Sequence, residues 1–509
     1  MYSNNNNTYR IVRNTIFLYV RMLFVLCVSL YISRVVLNTL GVEDYGIYNV
    51  VAGFVSLFGF FNATLSSSMQ RFYNYEGSKN EDGYFYVYTT GFIIHLVLAI
   101  IVFIVLETIG LWYINCVMVI PIDKLFPANI VYQASVLSML LVIFQIPFIG
   151  VIMATEKMDY YALISVIDII LKFIAIIMLP YFPYNKLIIY SIIIFLISLF
   201  DFGAYYVYAR KKILTKSFKW NINRSLLKSI MSFSGWNLMG TFSFLLKGQG
   251  VNMLLNYFFG PIINAARGIA FQINGAINGF SANIAISFRP QIVNSYAQGD
   301  FEKTKNMMYL ESKICFTLML AIMVPVIIEI DYLLKLWLGN LIPNKTNVFA
   351  ILVLVDSLIC TLNTPCSQVA FATGNLKKFQ ISNSIVNFML IPVSLIVLYF
   401  GASAVAVFFV TIIFSILNQM VCLFYLNKIF PLNFNDYVYE IVLPCVMMVF
   451  IVPILAIIVH FVFQESFVRL MLVFISNVVL AVIVFFFLIL KRSERVSVVD
   501  FVKLKLNIK

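Results

Sequence analysis

Residues 187–212 read LIIYSIIIFLISLFDFGAYYVYARKK. Between Leu187 and Tyr208 the only charge is Asp201, and the stretch ends on Arg210, Lys211 and Lys212. A run of that length matches the roughly 20 apolar residues a helix needs to cross about 30 Å of hydrocarbon. Its basic end marks the cytoplasmic side. Counting outward in both directions, fourteen such windows fit into the 509 residues, from 14–40 and 46–70 to 441–462 and 468–490. Composition agrees: 62% of residues are hydrophobic and 11% charged, against about 25% charged in a soluble domain. No soluble core encloses that much apolar surface. The expected fold is therefore all-α, a polytopic membrane protein of about 14 transmembrane helices. The first apolar stretch, Thr15 to Leu40, is too long for a signal-peptide core and reads as an uncleaved first span.

A net charge of +13 would suggest nucleic acid in a soluble chain. Here the basic residues lie mainly in short connectors, so topology explains them and no nucleic-acid partner is expected. With the N-terminus in the cytoplasm, the inner segments hold 24 Lys and Arg and the outer ones 5. That bias puts both termini in the cytoplasm. The largest basic run, Arg210, Lys211, Lys212, Lys216, Lys219, Arg224 and Lys228, fills the longest inner connector. It reads either as a topology-locking linker or as a binding strip for anionic lipid. It divides the chain into an N-terminal six-helix bundle (1–209), a basic linker (210–229), a second six-helix bundle (230–427), and two further helices with a basic tail (428–509). Sliding the sequence by 218 residues sets Leu37-Asn38 on Leu255-Asn256 and Arg71 on Arg289. That fits parallel repeats about an axis along the membrane normal.

The connectors offer no carboxylate set for acid–base work and no P-loop, so no catalytic residues are assigned. The seven cysteines form neither a metal spacing nor a disulfide framework, and no metal or cofactor is expected. What remains informative is charge inside spans, which is costly unless paired or hydrated. The cations are Arg21 and Arg34 on the first span, Lys247 on the seventh and Arg267 on the eighth. The acids are Asp168, Asp201 and Asp356, candidates to carry a coupling proton or sodium ion, with Asp356 the best single choice. Glu107, Glu311 and Glu329 fall near span ends. At 100° per residue, Arg267 shares a face with Asn274, Asn278 and Ser281; Lys247 with Trp236, Gly240, Ser243 and Gly250; Asp356 with Asn363 and Ser367. Such stripes line a cavity or a helix seam rather than face lipid. Gly248 and Gly250 around Gln249 allow either local unwinding beside Lys247, as at a binding site, or a close-packing seam. Asp168 and Lys172, four apart, can neutralise each other. His95 and His460 read as isolated packed residues. Intramembrane cations with few acids predict a transporter for something anionic, bulky and polar, Arg being suited to phosphate.

Several turns resemble a known family. The segment from Leu40 through Gly41, Val42, Glu43, Asp44, Tyr45, Gly46 and Ile47 to Tyr48 resembles the LGxxxYGxY turn of polysaccharide flippases. Phe258 to Ala270 looks like the matching turn of the second half. Tyr296-Ala297-Gln298-Gly299-Asp300 and Leu336-Trp337-Leu338-Gly339 are also similar to that family. It comprises the Wzx-like O-antigen and capsule flippases, within the multidrug/oligosaccharidyl-lipid/polysaccharide exporter superfamily. The resemblance implies two pseudo-symmetric six-helix bundles facing a central cavity, plus two C-terminal helices. It implies movement of an undecaprenyl-diphosphate-linked oligosaccharide from the cytoplasmic to the outer leaflet of a bacterial inner membrane. By the same token Arg21, Arg34, Lys247 and Arg267, with Asn274 and Asn278, would meet the diphosphate or sugar. A polysaccharide polymerase and a chain-length regulator would be partners. A multidrug exporter of organic cations is the alternative, with a membrane glycosyltransferase or polymerase behind it.

Overall fold

The structure is a computed structural model. It describes the backbone apart from residues 1, 60, 62–64, 67–68, 71, 74–82, 156, 217–223, 374–375, 491–494 and 496–509. Side chains at 2–26, 158–159, 229, 232–237, 286–287, 290 and 376 also lie outside the description. Arg21, Arg71, Trp236 and Lys219 are therefore outside the described side chains. Every described element is a helix. That is what hydrocarbon demands, since a helix satisfies its own backbone donors and acceptors.

The helices are α1 (Tyr2–Ser56), α2 (Gly83–Val105), α3 (Leu125–Ala154), α4 (Met158–Met178), α5 (Lys186–Lys212), α6 (Arg224–Phe259) and α7 (Pro261–Ala297). They are followed by α8 (Phe301–Ile328), the short α9 (Ile330–Leu338), α10 (Thr346–Thr373), α11 (Leu376–Tyr399) and α12 (Ala404–Ile429). Two further helical runs, α13 (Phe434–Val462) and α14 (Phe467–Ile489), complete the chain. Among the described residues, ten helices are long and apolar enough to cross a membrane. The four expected windows not among them, 14–40, 46–70, 230–258 and 262–288, include residues outside the description. The chain is a multi-pass membrane protein. Its apolar surface residues, such as Ile174, Met178, Phe424, Phe450, Phe461 and Phe487, are exposed where lipid would cover them.

Helix starts and stops follow local chemistry. Asn185 caps α5, its Oδ1 accepting from the Leu187 amide at 3.1 Å. Asp300 caps α8 through the Lys303 amide at 3.0 Å, and Ser466 caps α14 through the Arg469 amide at 3.2 Å. Each cap satisfies a donor that the first helical turn leaves open. The two family-like turns share one device. Gly41 bends α1 with φ 82°, and Gly260 separates α6 from α7 with φ 75°. That left-handed backbone costs an L side chain about 1–2 kcal/mol. The two glycines are 219 residues apart, one off the sequence repeat. Pro261 then opens α7 at a first-turn position that needs no amide donor.

By contacts, the chain forms two units. The first comprises Met1–Gly268, Trp337–Asn344 and Ser394–Ala404. It has one core around Ile47, Val50, Val51, Leu106, Val131 and Ile143. A second core gathers Met69, Tyr73, Val87, Phe148, Ile152, Tyr205 and Ile230. The second unit comprises Ile269–Leu336, Lys345–Val393 and Val405–Lys509. Its core runs from Met308, Phe316 and Leu320 on α8 through Leu354 and Val369 on α10 to Met448 on α13 and Ala481 on α14. Asn477 on α14 donates to the Ala321 carbonyl at 2.8 Å, tying the last helix to α8.

Close approach within the first unit depends on Gly46. A Cβ there would lie 2.0 Å from the Pro261 carbonyl oxygen. Overpacking of that kind costs about 1–3 kcal/mol. Gly203, on α5, has nothing within 4 Å of its Cβ position. Gly46→Ala is therefore expected to lower the thermal unfolding midpoint of the detergent-purified protein, whereas Gly203→Ala leaves it unchanged or slightly raised. Equal effects from the two would remove the close contact from the account.

Candidate functional site

Polar residues inside the first unit converge on α6. Asn252 and Asn256 are four residues apart on one face, within the run from Val251 to Phe259. The Asn264 amide on α7 donates to the Asn252 carbonyl at 2.7 Å and to its side-chain oxygen at 2.8 Å. Asn252 in turn donates to the Asn49 carbonyl on α1 at 3.3 Å and to Gln249 Oε1 at 3.4 Å. Asn256 accepts from the Val119 amide at 3.0 Å and donates back to the Val119 carbonyl at 3.4 Å. Its side chain thus pairs with that connector as a neighbouring strand would. The same connector is held by Lys124, whose Nζ lies 2.9 Å from Asp44 Oδ1. Asp44 is part of the LGxxxYGxY-like turn, so this segment ties α1 to the loop before α3. Trp337, from the Leu-Trp-Leu-Gly segment, donates its indole N–H to the Leu30 carbonyl at 2.7 Å.

The predicted cations take different positions. Arg267 is buried, and its Nη2 donates to the Gly248 carbonyl at 2.7 Å. It therefore fastens the start of α7 to α6 beside Lys247. Lys247 is half-buried and Arg34 exposed. Of the two readings of Gly248 and Gly250, unwinding beside Lys247 does not occur: α6 is continuous from Arg224 to Phe259. The two glycines leave its backbone helical, and the Arg267 guanidinium gives the Gly248 carbonyl an additional partner.

Asp168 and Lys172 on α4 form the ion pair that their spacing allows, with Nζ 2.7 Å from Asp168 Oδ1 and 2.9 Å from Oδ2. Asp201 on α5 lies close to Asp168 and Lys172. Two carboxyls and one ammonium thus share one place between α4 and α5. A separate cavity of about 220 Å³ in this unit is lined by Tyr48, Ser56, Ser135, Ser138 and Ser191. The sequence reading missed it. The signal was available: Ser135 and Ser138 lie one turn apart on α3. Their hydroxyls donate to carbonyls of their own helix at 2.7 and 2.8 Å.

In the second unit the helices that carry two predicted stripes adjoin. Asn278 on α7 donates to Ser357 Oγ on α10 at 3.3 Å and to Asn274 Oδ1 at 3.5 Å. The next residue back, Asp356, accepts from Ser415 Oγ on α12 at 2.5 Å. Asn363 and Ser367 bond to each other at 3.0 Å. The structure thus gathers Asn274, Asn278 and Asp356 in this unit and places Arg267 in the other. Glu311, read as lying near a span end, is fully buried on α8 and accepts from Gln368 at 3.0 Å. His460 is not isolated. Its Nδ1 lies 2.7 Å from Glu329 Oε1, while Arg469 Nη2 donates to Oε2 at 2.6 Å. Glu329 follows α8, His460 ends α13 and Arg469 begins α14, residues far apart in sequence that a linear reading could not join. His95, by contrast, is packed, with Nδ1 2.6 Å from the Gly91 carbonyl of its own helix.

No protein-family model matches the sequence, and no curated protein sequence matches it. Solved structures do. A lipid II flippase MurJ in an inward closed conformation superposes with a TM-score of 0.73 at 15% identity, over 92% of this chain and 98% of that one. An inward-facing multidrug resistance MATE family transporter of the MOP superfamily gives 0.64 at 13% identity, over 81% of this chain and 98% of that one. The eukaryotic MATE transporter AtDTX14 gives 0.57 at 12%, over 80% and 95%. The class of fold is thereby defined as the helical architecture shared by the MurJ flippase and the MATE transporters of the MOP superfamily.

The Asn252–Asn264 pair is open to direct measurement. A double-mutant cycle of Asn252→Ala and Asn264→Ala is expected to give a coupling energy of about 0.6–1.7 kcal/mol, the range for hydrogen bonds inside membrane bundles. Additive losses in unfolding free energy would show that this pair does not link α6 to α7.

Proposed function

We propose that the protein is a flippase that moves an undecaprenyl-diphosphate-linked oligosaccharide from the cytoplasmic to the outer leaflet of a bacterial inner membrane. The observation that carries the reading is the match to the MurJ lipid II flippase over nearly the full length of both chains. The charge balance supports it. Among the described residues, Asp168 is paired with Lys172, Glu329 with Arg469 and Asp356 with Ser415, while Glu311 is enclosed. Arg34 is exposed, and Lys247 is half-buried as Asp168, Asp201 and Asp356 are. Arginine and lysine at those two positions suit a diphosphate better than an organic cation. The diphosphate and its sugars do not cross hydrocarbon unaided, and cationic side chains replace part of their hydration while the prenyl tail stays in lipid. Arg267 supports the site by fixing the helix beside Lys247, and Asn274 and Asn278 offer amide groups to sugar hydroxyls. Movement by alternating access requires binding tight enough to load and loose enough to release. A polymerase and a chain-length regulator are the partners that would receive the product.

The test is flipping in proteoliposomes, read as protection of the lipid-linked sugar from an external glycosidase. Lys247→Ala and Arg34→Ala are each expected to slow it about tenfold to a hundredfold, since a hydrogen bond to a charged group contributes about 1.5–3 kcal/mol. Transport of an organic cation by the wild type, with no movement of the lipid-linked sugar, would establish the multidrug reading that the MATE likeness favours.

Coupling is proposed to reside at Asp168, Asp201 and Lys172, where one proton or sodium ion balances the second carboxylate. Imposed proton or sodium gradients are expected to accelerate flipping by the wild type and by Asp356→Asn, but not by Asp201→Asn. A rate indifferent to both gradients in the wild type would exclude a coupling ion.

A further inference from the structure

At one end of the first unit, where α2 and α4 begin and α3 and α5 end, lies a cavity of about 420 Å³. The connector charge bias assigns this end to the cytoplasm. Lys157, Lys212 and Lys216 line the cavity, with Tyr84, Phe85 and Tyr208 as its aromatic wall and the hydroxyls of Thr155 and Thr215 beside them. Among the described residues that line it there is no acid.

The cavity is built rather than left by a loose linker. After α5 the chain turns back, with the Ile213 and Leu214 amides donating to the Ala209 carbonyl at 3.0 and 2.7 Å. Leu214 is buried in the core of the unit. Arg210 Nη1 donates to the Leu214 and Lys216 carbonyls, each at 2.9 Å, which holds the turn closed. That closure brings Lys212 and Lys216 to the same cavity as Lys157 from the other side. The wall is fixed too: Tyr160 stacks on Tyr208 with centroids 3.8 Å apart and donates to the Ala204 carbonyl at 3.0 Å. Three ammonium groups with nearby hydroxyls suit a phosphate, and aromatic residues at a helix end suit the headgroup level of a bilayer. The volume is that of a small-ligand site.

We propose that this cavity binds a phosphate-bearing lipid headgroup from the leaflet on its own side, with the acyl chains left in the bilayer. The site is independent of the flippase reading, because it concerns a lipid of the surrounding leaflet and not the cargo. The experiment is native mass spectrometry of the full-length protein in detergent with phosphatidylglycerol, phosphatidylcholine and inorganic phosphate. The variants are Lys157→Gln with Lys212→Gln, and a control, Lys377→Gln with Lys378→Gln, that removes the same charge from another connector.

The wild type is expected to retain phosphatidylglycerol at least about tenfold better than phosphatidylcholine, and the cavity double variant to lose that preference while the control keeps it. Displacement by millimolar inorganic phosphate would support the site as one that also takes free phosphate. Resistance to displacement would support it as one that needs the lipid. Equal retention of the two lipids by the wild type would overturn the proposal, whether or not the double variant folds. So would an unchanged preference in the cavity variant, or an equal loss in the control.

Discussion

Hydrocarbon donates and accepts no hydrogen bonds, so polar groups at membrane depth need partners inside the protein. The two units are organised around that constraint. In the first, the Gln249, Asn252 and Asn264 side chains and the Asn49 carbonyl knit α1, α6 and α7 together, and Arg267 engages a backbone carbonyl. In the second, Asn278 meets Ser357, Asn477 meets a carbonyl of α8, and Glu329 takes both His460 and Arg469. Apolar packing between helices gives little preference over lipid. These polar links therefore specify which helices adjoin.

The same constraint bears on the charges. A carboxylate engaged by Lys172 or Arg469 is satisfied in place. Lys247 is half-buried, as Asp168, Asp201 and Asp356 are, and Arg34 is exposed. The likeness to the MurJ flippase and the MATE transporters supplies the fold in which these charges stand; the preference for a diphosphate belongs to the proposed function.

Much of the architecture was legible because span length and connector charge are local properties. The run from Leu187 to Lys212 became α5 almost residue for residue, and Asp168 met Lys172 because a helix sets the distance between residues four apart. Gly41 and Gly260 stood in the quoted turns, and both adopt the left-handed backbone. What was not legible depended on pairing across sequence. Nothing local to His460 announces Glu329, 131 residues away. Wheel geometry placed Arg267 with Asn274 and Asn278, yet the helix they share passes from one unit to the other. Unwinding, one of the two readings of Gly248 and Gly250, is absent because the propensity of two glycines is weak beside the packing of a long helix.

The proposed function needs Lys247 at a water-accessible position where an anionic lipid headgroup binds. It is tested most directly by placing a single cysteine at position 247 in a background lacking the seven native ones, and labelling with a membrane-impermeant thiol reagent. The account predicts labelling that an undecaprenyl-diphosphate-linked oligosaccharide slows and an organic cation does not. Absence of labelling, or protection by the organic cation alone, would contradict it.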